Sequence, residues 1–289
     1  MASKPAAITS LEDFDESINL LIYGDSGIGK TVLSGTAPGK SLFISTETGT
    51  ISAKRQGSKA EIWRCPAWDD LVAAYEYLRD EDHGYDWVML DSITEMQTHA
   101  LTKILAAAAA ENENRDPDIP AIQDYQKWQN MFKRFVRAFN DLPVNVLYTA
   151  LTFRSDDEEG EPLVLPLITG KGYQMAQWTC AQMHMVGYYS IQNVKKAGSD
   201  VPVEVRRLRV QPTPPYFAKD RYDVGKRFLD NPTLARIARL IDQTPEQRAA
   251  ESLPAVVPTK APAKATASAT SPAKASPAKV TTPASKENT

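Results

Sequence analysis

The stretch LLIYGDSGIGKT, residues 20–31, decides the fold of this chain. A short apolar run at residues 20–23 is followed by the pattern GxxxxGK(S/T), which begins at Gly24 and ends at Thr31. Backbone N–H groups converge on phosphate oxygens only where the chain curls tightly without obstruction by side chains, which is why such loops are rich in glycine. A strand before the loop and a helix after it are the context that the pattern requires. The sequence therefore predicts a phosphate-binding loop, called the P-loop below.

Every residue of the P-loop belongs to the predicted nucleotide site. Lys30 is expected to reach the β- and γ-phosphates of ATP, and Thr31 is expected to offer its hydroxyl to Mg²⁺. The helix that starts there adds the positive end of its dipole. We therefore predict that ATP, in complex with Mg²⁺, is bound by Gly24, Asp25, Ser26, Gly27, Ile28, Gly29, Lys30 and Thr31, of which Thr31 also contacts the metal ion.

Hydrolysis also needs a carboxylate for the hydrated metal ion. Asp91 closes the apolar run WVML, residues 87–90, so a buried strand is expected to deliver its carboxylate to the sheet edge beside the P-loop. Asp91 is also suited to cap the helix that starts near Ile93. The sequence predicts Asp91 as a metal ligand together with Thr31, and the two roles of Asp91 do not exclude each other.

A second carboxylate is needed to polarise the attacking water. Ser92 follows Asp91 at the position where many ATPases have a catalytic glutamate, so the water-activating group must come from elsewhere. Glu47 ends the run LFIST, residues 42–46, which is the next strand-like segment after the P-loop helix. We predict Glu47 as the catalytic carboxylate, the alternative being a glutamate in a surface loop.

The fold class predicted from the pattern is α/β. Strand-like apolar runs alternate with amphipathic helical segments up to residue 150, which indicates a mainly parallel sheet flanked by helices. Asp69 and Asn231 are predicted as helix N-caps, and five aromatic residues between 124 and 140, Tyr125 included, are predicted to face the core. Beyond Thr152, the segments 163–167, 183–194 and 203–211 predict C-terminal antiparallel strands.

Composition divides the chain into an N-terminal arm (residues 1–15), one core domain (16–245) and a tail (246–289) that is predicted to be disordered. Of the last 38 residues, 32 are Ala, Pro, Ser, Thr or Lys, and their charge balance of +4 contrasts with −7 for the residues before them. The tail lysines are suited to weak contact with polyanions, and a merely solubilising tail is the alternative. Because no apolar run approaches a membrane span and no signal core is present, we expect a cytoplasmic protein with no membrane partner.

With these positions in place, the chain resembles the RecA family core. In that family the P-loop is followed by a strand ending in a catalytic glutamate, here LFISTE, and the metal aspartate stands in a DS pair, here VMLDSI. More narrowly, the chain resembles the short phage-encoded RecA-like ATPases of single-strand annealing and recombination. The segments that carry this resemblance are VNVLYTA, PLITGKG at residues 166–172 and YFAKDR at residues 216–221.

The resemblance implies a RecA-like P-loop ATPase core with Lys30, Thr31, Asp91 and Glu47 in the roles given above. It also implies that Thr149 occupies the polar sensor position for the γ-phosphate. Lys171 would reach the phosphates of a neighbouring subunit in a homo-oligomer, or it is an ordinary turn lysine. A phage protein of this kind would work in the cytoplasm of its bacterial host.

Two functions follow as expectations. The first is a Mg-dependent ATPase that acts on single-stranded DNA in phage recombination, annealing or replication. The second is a nucleotide-switched loader or regulatory protein with slow hydrolysis, whose partner is a single-strand-binding or replication protein. The acidic residues 155–159 and the lack of a polymerisation motif in the arm favour the second. Basic candidates for DNA contact are Lys195, Lys196, Arg206, Arg207, Arg209 and the tail lysines, although a solvated strand face is the favoured account of these charges.

Overall fold

The structure, a computed structural model, describes Ser10 and residues 17–157, 159–170, 173–195, 201–224 and 227–252. The predictions for Lys171, Lys196, most of the N-terminal arm and the tail from residue 253 fall outside the described residues. Eleven strands lie in the described part: β1 Asn19–Tyr23, β2 Ser41–Ser45, β3 Glu61–Arg64, β4 Trp87–Asp91, β5 Asn145–Ala150, β6 Thr152–Asp156, β7 Pro162–Pro166, β8 Met185–Lys195, β9 Pro202–Arg209, β10 Lys219–Asp220 and β11 Phe228–Asp230. Eight helices accompany them: α1 Lys30–Ser34, α2 Ile51–Arg55, α3 Trp68–Asp80, α4 Ile93–Glu111, α5 Ile122–Asn140, α6 Gln174–Gln182, α7 Leu234–Asp242 and α8 Pro245–Ser252.

Nine of the described strands form one mixed sheet in the order β11-β9-β8-β1-β5-β4-β2-β3, with β10 paired to β8. The strands from β8 to β3 in this order are parallel, and β9, β10 and β11 add antiparallel pairs at the other end. β6 and β7 form a separate antiparallel hairpin. The predicted fold class, α/β with a mainly parallel sheet and C-terminal antiparallel strands, is confirmed.

Both faces of the sheet are covered by helices, which is why the central strands are apolar throughout instead of alternating. On one face Leu21, Leu90 and Tyr148 pack against α3, α4, α5 and α6. On the other face Ile22 and Met89 pack against α1, α2 and α7. Neighbouring residues of one strand thus belong to two separate cores, as the period of two along a strand requires.

Three local predictions were wrong. α3 starts after Ala67 and not after Asp69, because the Asp70 carboxylate accepts a hydrogen bond from Ala67 N at 3.0 Å. α7 starts after Thr233 and not after Asn231, because the Thr233 hydroxyl accepts from Arg236 N at 3.1 Å. Tyr125 is exposed at the first turn of α5, whereas the other four aromatic residues of that helix are buried, namely Trp128, Phe132, Phe135 and Phe139.

The predicted start of the tail at residue 246 is also corrected, because residues 246–252 are helical as part of α8. A capping box starts this helix: Gln247 N donates to Thr244 Oγ1, and Thr244 N donates to Gln247 Oε1. The Arg248 guanidinium donates to the carbonyls of Tyr222 and Gln243, so α8 is tied to the core by hydrogen bonds. Separately, none of the described helices combines the length and apolar character needed to cross a bilayer.

Candidate nucleotide site

The P-loop lies at the carboxyl end of β1, between β5 on one side and β8 on the other. Gly27 and Gly29 have φ angles of +79° and +100°, a region that side-chain-bearing residues rarely adopt. Gly24 is required for a different reason: a Cβ there would come within 2.3 Å of the Tyr189 carbonyl oxygen on β8. The glycines of the motif therefore serve both the curl of the loop and its close approach to a neighbouring strand.

Lys30 begins α1 and is 8% exposed. Its ammonium group donates to the carbonyl oxygens of Gly24 at 2.8 Å and Asp25 at 2.9 Å, so it lies across the mouth of the P-loop. Burial lowers the pKa of Lys30, and the nearby carboxylates of Asp91, Glu47 and Asp25 oppose this shift. The carboxylates thus favour the charged form of Lys30, and an ammonium group held across the P-loop is suited to bind the phosphate chain of a nucleotide.

Asp91 lies at the end of β4, and both of its carboxylate oxygens accept hydrogen bonds. Thr31 Oγ1 donates to Oδ2 at 2.8 Å, and Thr149 Oγ1 donates to Oδ1 at 2.5 Å. The helix-capping alternative for Asp91 does not hold, because Ser92 occupies the N-cap position of α4 and its Oγ accepts from Glu95 N at 3.3 Å. The structure thus brings together the two residues predicted as metal ligands, Thr31 and Asp91.

Thr149 is fully buried in β5, between the P-loop strand and β4. Its hydroxyl is engaged by Asp91, so it orients that carboxylate from the side opposite Thr31. The role in sensing the γ-phosphate that the resemblance implies stays a prediction.

Glu47 follows β2, the neighbour of β4, and its side chain points toward the start of α4. Ser92 Oγ donates to Glu47 Oε1, and Ser45 Oγ donates to the Glu47 carbonyl oxygen at 2.7 Å. The strand ends are joined as well, since Thr46 N donates to the Asp91 carbonyl oxygen at 3.0 Å and Ser92 N donates to Thr46 Oγ1 at 3.2 Å. Ser92, at the position where many ATPases have a catalytic glutamate, therefore orients the glutamate that follows the adjacent strand.

Arg154 is a residue of the site that the sequence reasoning missed. It lies on β6, and its guanidinium makes a two-pronged ion pair with the P-loop carboxylate of Asp25, with N–O distances of 2.9 and 2.7 Å. Tyr188 also lies 3.5 Å from one of its terminal nitrogens. The available signal is its position as the first basic residue after β5, directly before the acidic segment 155–159.

The arginines of β9 separate onto two faces, as the strand period predicts. Arg207 pairs with Asp230, and Arg209 packs over the rings of Tyr216 and Phe228, so both have structural partners. Arg206 points the other way, and its Nε donates to the Ile28 carbonyl oxygen of the P-loop at 3.1 Å. Lys195 lies at the end of β8, far along the same hairpin.

Two segments that suggested the RecA resemblance have structural roles here. In YFAKDR, Lys219 donates to three carbonyl oxygens at the end of α6, which complements the negative end of that helix. In PLITGKG, the Leu167 carbonyl oxygen accepts from Thr94 Oγ1 and Gln97 Nε2 of α4, both at 3.2 Å.

Comparison with known families agrees with this fold class. A family model described as an AAA domain matches residues 16–222, which is more than half of the chain, so the chain belongs to this family of P-loop ATPases. Nucleotide binding and the general class of ATPase follow from that membership. Among curated proteins, none matches the chain.

The residues around the P-loop fit Mg²⁺ and ATP chemically. Mg²⁺ prefers hard oxygen ligands, and the Thr31 hydroxyl and the Asp91 carboxylate lie side by side at 2.8 Å. Lys30 supplies the positive charge for the phosphates. Thr31 and Asp91 are therefore the residues that would hold the metal ion, which would neutralise charge that develops on the phosphates.

Proposed function

We propose that this protein is a Mg-dependent ATP hydrolase in which Glu47 orients the attacking water. The observation that carries the proposal is the placement of Glu47 and Asp91 at the carboxyl ends of neighbouring parallel strands, Glu47 just after β2 and Asp91 as the last residue of β4, each with hydroxyl donors that hold its carboxylate. The Glu47 carboxylate has one oxygen engaged by Ser92, which leaves its other oxygen to accept a proton or a hydrogen bond from water. Such an arrangement is suited to general-base assistance of γ-phosphate transfer to water.

The hydrolytic site divides its tasks among the strand ends. Lys30 and the P-loop amides bind the phosphate chain, and Thr31 with Asp91 provides the oxygen ligands for the metal ion. Thr149 and Ser92 fix the orientations of Asp91 and Glu47 in this scheme. Fixed orientation matters because the catalysis of phosphoryl transfer consists mainly of positioning and charge stabilisation.

For the biological role, we propose action on single-stranded DNA in phage recombination, annealing or replication. The support is the resemblance to RecA-like phage proteins and the basic balance of the last 38 residues, +4. The tail lysines would contact the phosphate backbone without reading sequence. In this role, binding of ATP would control the grip on DNA or the association of protomers.

A nucleotide-switched loader or regulator is the second candidate, and the β6–β7 hairpin favours it. This hairpin is joined to the P-loop through the Arg154–Asp25 pair, and its outer end carries the acidic residues Asp156, Asp157, Glu159 and Glu161. An acidic hairpin repels DNA phosphates and suits a basic protein surface. Its partner would be a single-strand-binding or replication protein.

The rate of ATP hydrolysis, measured with and without single-stranded DNA, tests these proposals. Magnesium-dependent turnover that Lys30→Ala abolishes is expected, and a wild-type rate equal to that of Lys30→Ala would refute the hydrolase. Stimulation by DNA at low salt, lost on deletion of residues 253–289, is the result expected for the first role. If turnover stays slow when DNA is added, and the protein does not bind DNA at low salt, the first role is rejected in favour of the second.

A further inference from the structure

Arg206 is held against the outer side of the P-loop. The β8–β9 hairpin makes this possible because it extends beyond the end of β1: Tyr23, the last residue of β1, pairs with Tyr188, and β8 continues to Lys195. Arg206 pairs with Ile191 in this projecting part. An antiparallel hairpin therefore carries a guanidinium past the sheet edge to the level of the P-loop.

The backbone of Arg206 is fixed by Asn231, the residue directly after β11. Arg206 N donates to Asn231 Oδ1 at 3.0 Å, and Asn231 N donates back to the Arg206 carbonyl oxygen at 2.6 Å. Asn231 has a φ of +43°, a conformation that asparagine tolerates better than most residues. The side chain therefore starts from a well-defined position.

The guanidinium of Arg206 is oriented by one hydrogen bond and keeps its other donors available. Nε donates to the Ile28 carbonyl oxygen at 3.1 Å and lies 3.3 Å from where a Cβ of Gly29 would be. Within the described part of the chain, neither terminal nitrogen of Arg206 has a hydrogen-bond partner, and no carboxylate pairs with it. Its neighbour Arg207 instead has its charge matched by Asp230.

The order of the strands tells which part of a nucleotide Arg206 would meet. Asp91 and Glu47 lie on the β5–β4–β2 side of β1, so the γ-phosphate and the attacking water belong there. Arg206 lies on the opposite, β8–β9 side. A nucleotide whose phosphates follow the P-loop must turn its α-phosphate and nucleoside toward that side.

We propose that Arg206 binds the nucleotide from within the same chain, at its α-phosphate and nucleoside end. The ligand class is a nucleoside di- or triphosphate, since both have this end in common. A planar guanidinium with free terminal nitrogens makes charge-assisted hydrogen bonds to phosphate oxygens and stacks on flat rings. The inference rests on the proposed function, because it takes the γ-phosphate to lie beside Asp91 and Glu47. Its readout is the affinity for ADP, which is measured without hydrolysis, so its failure can be told apart from failure of the proposed ATPase reaction.

The test is the affinity of Arg206→Ala for ADP and for ATP, measured with fluorescent analogues. We expect both affinities to fall by roughly 10- to 100-fold, because a charged hydrogen-bonding partner is lost. The turnover number at saturating ATP should stay within about twofold of the parent, since the γ-phosphate is not touched. Arg206→Lys, which keeps the charge but not the planar fork, should lose less affinity than Arg206→Ala.

Arg207→Ala is the matched control, because it removes an arginine from the same strand on the opposite face. It should lower the midpoint of thermal unfolding by losing its pair with Asp230, while leaving the affinity for ADP at the parental value. Equal affinities for ADP in Arg206→Ala and Arg207→Ala would overturn the proposal. Loss of turnover with unchanged affinity for ADP would also overturn it, since that places Arg206 at the γ-phosphate. If Arg206→Ala does not fold, the affinity of Arg206→Lys for ADP is compared with that of Arg207→Ala instead. A lower affinity in Arg206→Lys is expected, and equal affinities would overturn the proposal.

Discussion

The two sides of the P-loop differ in both chemistry and construction. On the β5–β4–β2 side, hydroxyl and carboxylate groups lie at the ends of parallel strands: Thr149, Asp91 and Glu47. On the β8–β9 side, the strands are antiparallel and the group that meets the loop is the guanidinium of Arg206. We propose that the first side holds a metal ion and water and that the second side binds an anion.

The difference shows that the relative direction of the strands decides how residues reach each side of the P-loop. Parallel strands end at the same edge, so polar residues that follow them come together without any special loop. An antiparallel hairpin has no such common end and reaches the site only by projecting beyond the edge. We expect substitutions on the first side to change turnover and substitutions on the second to change affinity.

The largest effect is expected for Lys30→Ala, because Lys30 lies at the P-loop between the two sides and both turnover and nucleotide affinity are expected to depend on its charge. Removing this buried ammonium deletes the charge that faces the phosphates, so turnover should fall by at least about 100- to 1,000-fold. Steady-state hydrolysis and nucleotide-induced thermal shifts measure this. Lys59→Ala, which removes an exposed lysine, is the control and should behave as the parent. If Lys30→Ala hydrolysed ATP at the parental rate, hydrolysis would not depend on the P-loop, and the comparison of its two sides would lose its basis.

Glu47→Gln should separate binding from chemistry. The amide keeps the size of the side chain but cannot take a proton, so turnover should drop by about 100-fold or more while ATP affinity is retained. Single-turnover hydrolysis with a parallel binding assay measures the two quantities. Glu76→Gln on the exposed face of α3 controls for loss of a surface charge. Hydrolysis at the parental rate would disprove the assignment of Glu47.

Thr149→Val should have an intermediate effect through Asp91. The substitution keeps the shape but removes the hydroxyl that donates to Oδ1 at 2.5 Å, so the metal carboxylate loses one of its two orienting partners. Loss of a hydrogen bond to a charged group is worth about 1.5–3 kcal/mol. The Mg²⁺ concentration for half-maximal turnover should therefore rise about tenfold or more, and Thr149→Ser should restore it. An unchanged Mg²⁺ dependence would argue against an orienting role.

The smallest effect is expected for Asp25→Asn, which breaks the pair with Arg154. Both side chains are about half exposed (48% and 55%), so the free energy of unfolding should change by less than about 1 kcal/mol. The hydrogen bond from Arg154 lowers the pKa of Asp25 below its ordinary value of 3.8. The pair therefore stabilises the fold above pH 3.8, and this contribution is lost as the pH falls further through the lowered pKa.

Thermal unfolding at several pH values tests this linkage. The parent and Asp25→Asn should differ slightly at neutral pH and converge in acid, and added salt should reduce the difference at neutral pH. A difference that grows as the pH falls would have the wrong sign for a lowered carboxyl pKa.

Much of the hydrolytic side was predictable from the sequence. Glu47 and Asp91 each follow an apolar run, and in a parallel sheet such positions lie at one edge, so their common edge followed from the sequence pattern. The hydroxyl partners were harder to predict, because the order of β2, β4 and β5 in the sheet decides which carboxylate Ser92 or Thr149 faces. The catalytic roles of these residues stay predictions that the variants above test.

The β8–β9 side was poorly predictable. The period of a strand separates Arg206 from Arg207 and Arg209, but nothing in the sequence tells which face meets the P-loop. Arg154 illustrates the same limit, since its partner Asp25 is 129 positions away along the chain. Long-range ion pairs carry no local pattern.

The sequence by itself determined the P-loop, the α/β class and the two carboxylates that follow buried strands. These features depend on local properties: glycine conformations, apolar periodicity and the common ends of parallel strands. The tertiary structure alone decided that Ser92 holds Glu47, that Thr149 holds Asp91, and that Arg206 lies on the P-loop while Arg207 does not. The physical reason is that side-chain partners are set by strand order and register, which arise from packing of the whole domain and not from any one segment.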